Sequence, residues 1–248
     1  MSKIIDTIQL FLNSKTADTY INNYTSDCIF KLPHIQLPKK HKYKISVQNA
    51  SIPYSFFNCD YYNNQLIYSV NGGTNITITI PQGNYNTTSL RTYLLSVMTG
   101  FSISYIAYNN SYVFTHSTHD FTFKSNSTCF ELLGLTDNIN HNSTTRVLTS
   151  DISINFFTIR NIYIQSNNII TNNINSNTPN NSNILCSIPV LSSSYSIINY
   201  SNVNDIKMII DRINNFTLLH ISITDQDGDI LDLNGCHFSL TLQIDIVE

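Results

Sequence analysis

The segment Phe238-Ser239-Leu240-Thr241-Leu242-Gln243-Ile244-Asp245-Ile246-Val247 decides the fold. Phe238, Leu240, Leu242, Ile244 and Ile246 alternate with Ser239, Thr241, Gln243, Asp245 and Val247, the period-two pattern of a strand with one buried face. Upstream, Leu219, Ile221 and Ile223 repeat it, and Asp225-Gln226-Asp227-Gly228-Asp229 between the runs is rich in turn formers. The C-terminal region is therefore expected to be all β. Working back from it, strands are expected over residues 157–164, 184–190, 196–200, 206–210 and 218–223, and near the N-terminus over 28–32 and 43–47. Ile52 to Phe57 follows, but Pro53 restricts it to a strand end or an edge. The Asn/Ser/Thr tract from Asn167 to Asn183 is too polar to pack and reads as a long mobile loop. The first fifteen residues, apolar at Ile4, Ile5, Ile8, Leu10 and Leu12, read as an arm outside the barrel.

Between residues 61 and 151 the pattern changes. Leu66 to Val70 and Ile76 to Ile80 flank Asn71-Gly72-Gly73 and predict a hairpin. Leu90, Tyr93, Leu94 and Val97 then share a helical face, with an N-cap among Asn86 to Thr88 and a stop at Gly100. A second hairpin is expected over Ser102 to Ala107 and Tyr112 to Thr115, and a further strand at Phe121 and Phe123. Thr128 and Glu131 have capping-box spacing for a short helix ended by Gly134. Two strands before this block and six after it make eight, the number of an antiparallel jelly roll. A closed barrel or a plain sandwich differs by one miscounted strand. The expected fold is mainly β: an eight-stranded antiparallel jelly-roll barrel or sandwich with an inserted small α+β domain. Residues 1–60 hold the arm and two strands, 61–151 the insert, and 152–248 six strands.

Composition narrows function by exclusion. The 248 residues carry a net charge of −3 and only 12% charged side chains, about half the usual share. Asn, at about one residue in seven, makes the surface polar but uncharged. No basic footprint suits specific nucleic-acid binding. The one basic cluster, Lys39, Lys40, His41, Lys42 and Lys44, reads as a solvated strand entrance, or else as a contact for an acidic neighbour or an internal genome. Cys28, Cys59, Cys129, Cys186 and Cys236 form no CxxC pair and read as reduced structural thiols. No stretch reaches the roughly 18 apolar residues of a membrane span, and no signal peptide is evident.

Candidate chemistry fails in detail. Asp225, Asp227, Asp229 and Asp232 suggest a calcium loop, but Gly228 and Cys236 occupy positions where an EF-hand needs other residues. A hairpin turn on Asp227-Gly228 is the better reading, with a weak cation site the alternative. His116 and His119 lack the glutamate and the four-residue step of a zinc helix. No nucleophile elbow or phosphate loop is present. The sequence therefore nominates no catalytic, cofactor or metal residue and no cofactor, and predicts that the protein is not an enzyme.

The order of short phrases is more telling. Leu12-Asn13-Ser14-Lys15, Thr25-Ser26-Asp27 and Val47-Gln48-Asn49-Ala50-Ser51-Ile52-Pro53-Tyr54-Ser55-Phe56 resemble the opening of penton or minor capsid proteins from virophages, polinton-like viruses and related large DNA viruses. Ile80-Pro81-Gln82-Gly83-Asn84-Tyr85, Phe130-Glu131-Leu132-Leu133-Gly134-Leu135, Ile184-Leu185-Cys186-Ser187-Ile188-Pro189-Val190 and the Asp225 turn are similar to later parts of that family. The resemblance implies a virion protein whose jelly roll sits in the shell beside double-jelly-roll major capsid proteins, with the insert outside. It also implies a homo-oligomer, a pentamer at the five-fold vertex, assembled in the host cytoplasm or another reducing compartment. The Asn167 to Asn183 tract has no counterpart there. The alternative is a β-sandwich module that recognises a host receptor or glycan through the barrel or the insert. Tyr61, Tyr62, Tyr105, Tyr108 and Tyr112 would stack on sugar, although at β positions tyrosines more often pack.

Overall fold

A computed structural model describes residues 3–33, 42–171, 183–213 and 217–248. The chain divides into two compact units, Met1–Phe56 with Ile159–Glu248, and Phe57–Thr158. The first unit opens with β1 (Ile4–Asn13), β2 (Thr19–Tyr20), β3 (Asp27–Lys31) and β4 (Lys42–Pro53). The second contains β5 (Gln65–Val70), β6 (Ile76–Thr79), α1 (Thr87–Val97), β7 (Phe101–Ile106), β8 (Ser111–His116), β9 (Phe121–Phe123), α2 (Phe130–Leu133), β10 (His141–Asn142) and β11 (Val147–Thr149). The first unit resumes with β12 (Asn161–Gln165), β13 (Ile169–Thr171), β14 (Ile184–Pro189), β15 (Ile197–Ser201), β16 (Met208–Ile213), β17 (Leu218–Thr224) and β18 (Ser239–Val247).

In the first unit, one sheet has the order β1-β18-β4-β16-β13, with β15 also on β4, and the other has β14-β12-β17-β3-β2. β15 and β16 both pair with β4, at Asn49–Pro53 and at Lys44–Ile45, so they are two halves of one interrupted strand. The interruption has a local cause: the Asn202 amide accepts from the Ile206 N–H and donates to its carbonyl, closing the intervening residues into a loop. Setting aside the short edge pieces β2 and β13, eight strands remain, in the orders 1-8-3-6 and 5-4-7-2. That order is consistent with a jelly roll of two Greek keys. Inward residues of both sheets, among them Val47, Leu242 and Ile244 from one and Phe30, Ile162 and Ile221 from the other, form one core. The result is a sandwich of antiparallel sheets.

Several expectations are corrected here. The N-terminal arm is β1, paired with β18 from Ile4↔Val247 to Asn13↔Ser239. Leu12 and its half-buried neighbours Ile8 and Leu10 belong to the core rather than to an arm. Part of the polar tract is also a strand: Ile169–Thr171 pairs with β16, and Ile169 and Thr171 are buried. The rest of that tract, from 172 to 182, lies outside the described residues, as do Lys39, Lys40 and His41 of the basic cluster. The eight expected strands thus omitted the first and counted the sixth twice, and the two errors cancelled. Phe157 is not in a strand, because the Asn155 side chain accepts from its N–H and turns the chain there. The strand expected over residues 43–47 runs on to Pro53, which ends it, in keeping with the strand-end reading of that proline. A bulge opposite Thr241/Leu242 lets Val47 and Ala50, odd and even positions, both face inward.

In the second unit, β10-β9-β5-β6 and β11-β8-β7 form two sheets around a separate core. Its limits fall at 56/57 and 158/159 rather than 60/61 and 151/152, since Cys59 bridges Gly83 and Ile154 is buried in the same core. Asn71 and Gly72, both at positive φ, make the β5–β6 turn, with the Gly73 N–H on the Val70 carbonyl at 2.9 Å. Asn86 caps α1 in a reciprocal box with Ser89. The buried face of α1 is Leu90 and Leu94, continued by Met98, whereas Val97 is exposed. Thr128 is not the cap of α2: its hydroxyl accepts from the Gln65 N–H, and Cys129 precedes the helix without a side-chain cap. Gly134 ends α2 at φ 69°, where a Cβ would lie 2.6 Å from the Ile152 carbonyl oxygen.

Candidate interaction surfaces

The motifs weighed for chemistry are used in turns. Asp225 Oδ1 accepts from the N–H groups of Asp227, Gly228 and Asp229 at 2.9–3.0 Å, so the oxygen a cation would need holds the loop closed. Burial pushes this carboxyl up. His116 Nδ1 accepts from the N–H groups of Thr118 and His119, and its ring stands edge-on to Phe101 at 4.9 Å. Among the described residues no cluster of three or more His, Cys, Asp or Glu side chains could hold a metal ion. No helix there is long and apolar enough to cross a membrane.

Two polar clusters were not legible in the sequence. On the second sheet, His220 Nε2 lies 2.5 Å from Asp27 Oδ1, both buried, while its Nδ1 has no partner among the described residues. The His220 N–H donates to Asn168, tying the start of the polar tract to β17. No serine or cysteine side chain hydrogen-bonds this pair among the described residues. On the outer face of the first sheet, Asp245 is buried and accepts from Thr7 Oγ1 and Gln243 Nε2, each at 2.9 Å, and lies 2.9 Å from Lys207 Nζ. Burial alone would raise this carboxyl, but the bonds from Lys207, Thr7 and Gln243 outweigh it and hold it below the usual carboxylate range. The members of each cluster are up to about 240 positions apart, and no spacing rule connects them.

The same outer face carries a groove of about 580 Å³. Register places Phe11, Thr241, Asn49 and Ser201 in one row across it and Asn13, Ser239, Ser51 and Asn199 in the next. Small uncharged side chains in successive strands leave the trough, and Phe11 stands at its edge. Of the five tyrosines considered for stacking, Tyr112 is buried with its hydroxyl on the Thr87 carbonyl, and Tyr105 is partly buried beside it. Tyr61 and Tyr62 are exposed and meet edge-on at 5.2 Å, and Tyr108 is exposed in the β7–β8 turn. The thiols of Cys28 and Cys59 are pushed by burial, and secondarily by Asp27 and Asp60, up to about 12, and burial raises Cys129 and Cys186 as well. Cys236 is exposed.

With that geometry in place, comparison with solved structures is decisive for the fold. The chain is similar to the selenomethionine-labelled mavirus penton protein, with a TM-score of 0.52 and 16% identity, over 97% of this chain and 99% of that one. It shares that protein's fold. The resemblance expected from the short phrases is therefore found in three dimensions along nearly the whole chain. A chain in a 3.5 Å cryo-EM structure of the Sputnik virophage is also similar, at TM-score 0.46 and 14% identity, over 97% and 98% of the two chains. No protein-family model matches the chain, and no curated protein does.

Proposed function

We propose that this chain is a structural subunit of a virus capsid, a penton at a five-fold vertex or a minor capsid subunit, and not an enzyme. The observation that carries the reading is the fold shared with the mavirus penton protein from end to end, across both units. The strand order supports its finer form, an eight-stranded jelly roll standing in the shell as a homopentamer against double-jelly-roll major capsid proteins. The unit Phe57–Thr158 enters and leaves the first unit between its third and fourth jelly-roll strands, which suits an inserted domain presented outside the shell. Residence in the virion after assembly in a reducing compartment agrees with five unpaired cysteines, three of them buried.

The exposed Tyr61–Tyr62 pair favours a second role that the first does not exclude: attachment to a host glycan through that unit. Native mass measurement with negative-stain imaging of the full chain tests both. A closed ring supports the vertex reading. A monomer at every concentration that binds immobilised glycans, with loss of binding in Tyr61→Ala, replaces it by the attachment module.

A further inference from the structure

The β1 and β15 edges of the first unit's larger sheet differ, and neither is guarded among the described residues. On one side β1 pairs only with β18 among the described strands, leaving a ten-residue edge. Natural edges are blunted by lysine, proline or inward charge. Ile4–Asn13 contains no lysine and no proline, and its only charge is Asp6. Ile4 and Ile5 are each 48% exposed and Phe11 is 77% exposed. On the other side β15 pairs only with β4 among the described strands, and Ile197–Ser201 has neither charge nor proline. Around it Leu191, Tyr195, Ile197 and Val203 are 88, 76, 55 and 85% exposed. Tyr195 sits at φ 66°, uncommon for an aromatic residue, with its N–H on the Tyr54 carbonyl and its ring in solvent.

We infer that these sides are the two halves of one junction, in which the β1 edge of one copy of this chain lies against the β15 edge of the next. The inference rests on the vertex reading above and names its contact. Size supports a second copy as the occupant. Taking for each the range of about 150–250 Å² that aromatic side chains bury, the seven apolar residues expose roughly 700–1,200 Å². At the ~57% apolar share of ordinary interfaces, that corresponds to a contact of about 1,200–2,100 Å², the standard size range. Strand direction supports it too. β1, β18, β4 and β15 are successively antiparallel, so β15 runs opposite to β1. A copy rotated about an axis along the strands therefore presents its β1 antiparallel to β15, ordinary geometry for neighbouring strands. Because the two sides are unlike, the contact is head-to-tail, the kind that closes into rings.

The test uses the full chain with Phe11→Asp on one side and Val203→Asp on the other, read by native mass spectrometry at a concentration where the wild type forms its ring. Each variant alone is expected to be monomeric and, at a dilution where the wild type is monomeric too, to melt within about 2 °C of it, a surface-level change. An equimolar mixture is expected to give one-to-one pairs and nothing larger, since each variant keeps one intact side. Should either aspartate lower the melting temperature, Phe11→Ser and Leu191→Ser give the same readout. Rings that persist in both variants overturn the junction and leave the vertex reading standing. A single variant that dimerises by itself shows like edges meeting and also overturns it. A wild type that never assembles overturns the vertex reading and the junction together.

Discussion

Replacing Leu12 by alanine separates an integral first strand from a loose arm. Leu12 is 5% exposed and packs in the core, whereas its neighbour Phe11, on the opposite face of β1, is 77% exposed. Removing a buried leucine costs the transfer energy of the lost carbons plus a cavity, together about 2–5 kcal/mol. At an edge the surroundings relax more easily than at the centre of a sheet, and Leu10 beside Leu12 is only half-buried, so about 3 kcal/mol is expected. At about 2–4 °C per kcal/mol for a unit of this size, that is a fall of about 6–12 °C. Phe11→Ala should move the same transition by about 2 °C or less. Differential scanning calorimetry of dilute, monomeric protein reads both. Equal shifts for the two variants, or none for Leu12→Ala, would refute the placement of β1 in the sandwich. Deleting residues 1–13 should then destabilise the first unit outright, because it removes Leu12, the packing of Ile8 and Leu10, and every β18 pairing on that side.

In β18, Leu242→Ala should cost about 2–5 kcal/mol and Thr241→Ala much less, measured by urea denaturation, since Leu242 is buried and Thr241 lies in the outer trough. Lys207→Met leaves the Asp245 carboxylate buried without its cation and should cost about 3 kcal/mol at pH 7. The Asp245 value is depressed in the folded protein, so the stabilisation is present above the unfolded value of about 3.9 and lost as pH falls through the lower folded value. The gap between wild type and variant should therefore close in strong acid, and a gap that persists there argues against the ion pair. Thiol titration of the native protein near pH 8 should find Cys236 fast, with Cys28, Cys59 and Cys129 reacting only on unfolding. Rapid modification of all five would contradict the burial of the other thiols.

What the sequence disclosed and what it hid have physical reasons. The Phe238 to Ile246 alternation, the Asn86 cap, Gly134 and the Asn71-Gly72 turn are local signals, and each forms the element it predicts. β1 was hidden because an edge strand buries only part of one face, so its apolar residues look like those of a loose tail. β13 was hidden by composition, since a three-residue strand inside an Asn-rich tract offers only Ile169 and Ile170 as a signal. The bulge in β4 changed the parity of the buried positions, so the alternation seen over residues 43–47 breaks off and the strand read shorter than it is. The Asp27–His220 pair and the Asp245 cluster depend on strands distant in sequence meeting in register, which no single stretch records. The same holds for the outer trough, which exists only once four strands lie side by side.

The most direct measurement of the central claim is an electron cryo-microscopy map of particles purified from cells that produce this protein. The account predicts density at the five-fold vertices that fits the two sheets of the first unit, repeated around the axis by an interface that includes Phe11 and Val203. Particles that lack the chain, or that carry it only away from the shell, would contradict it.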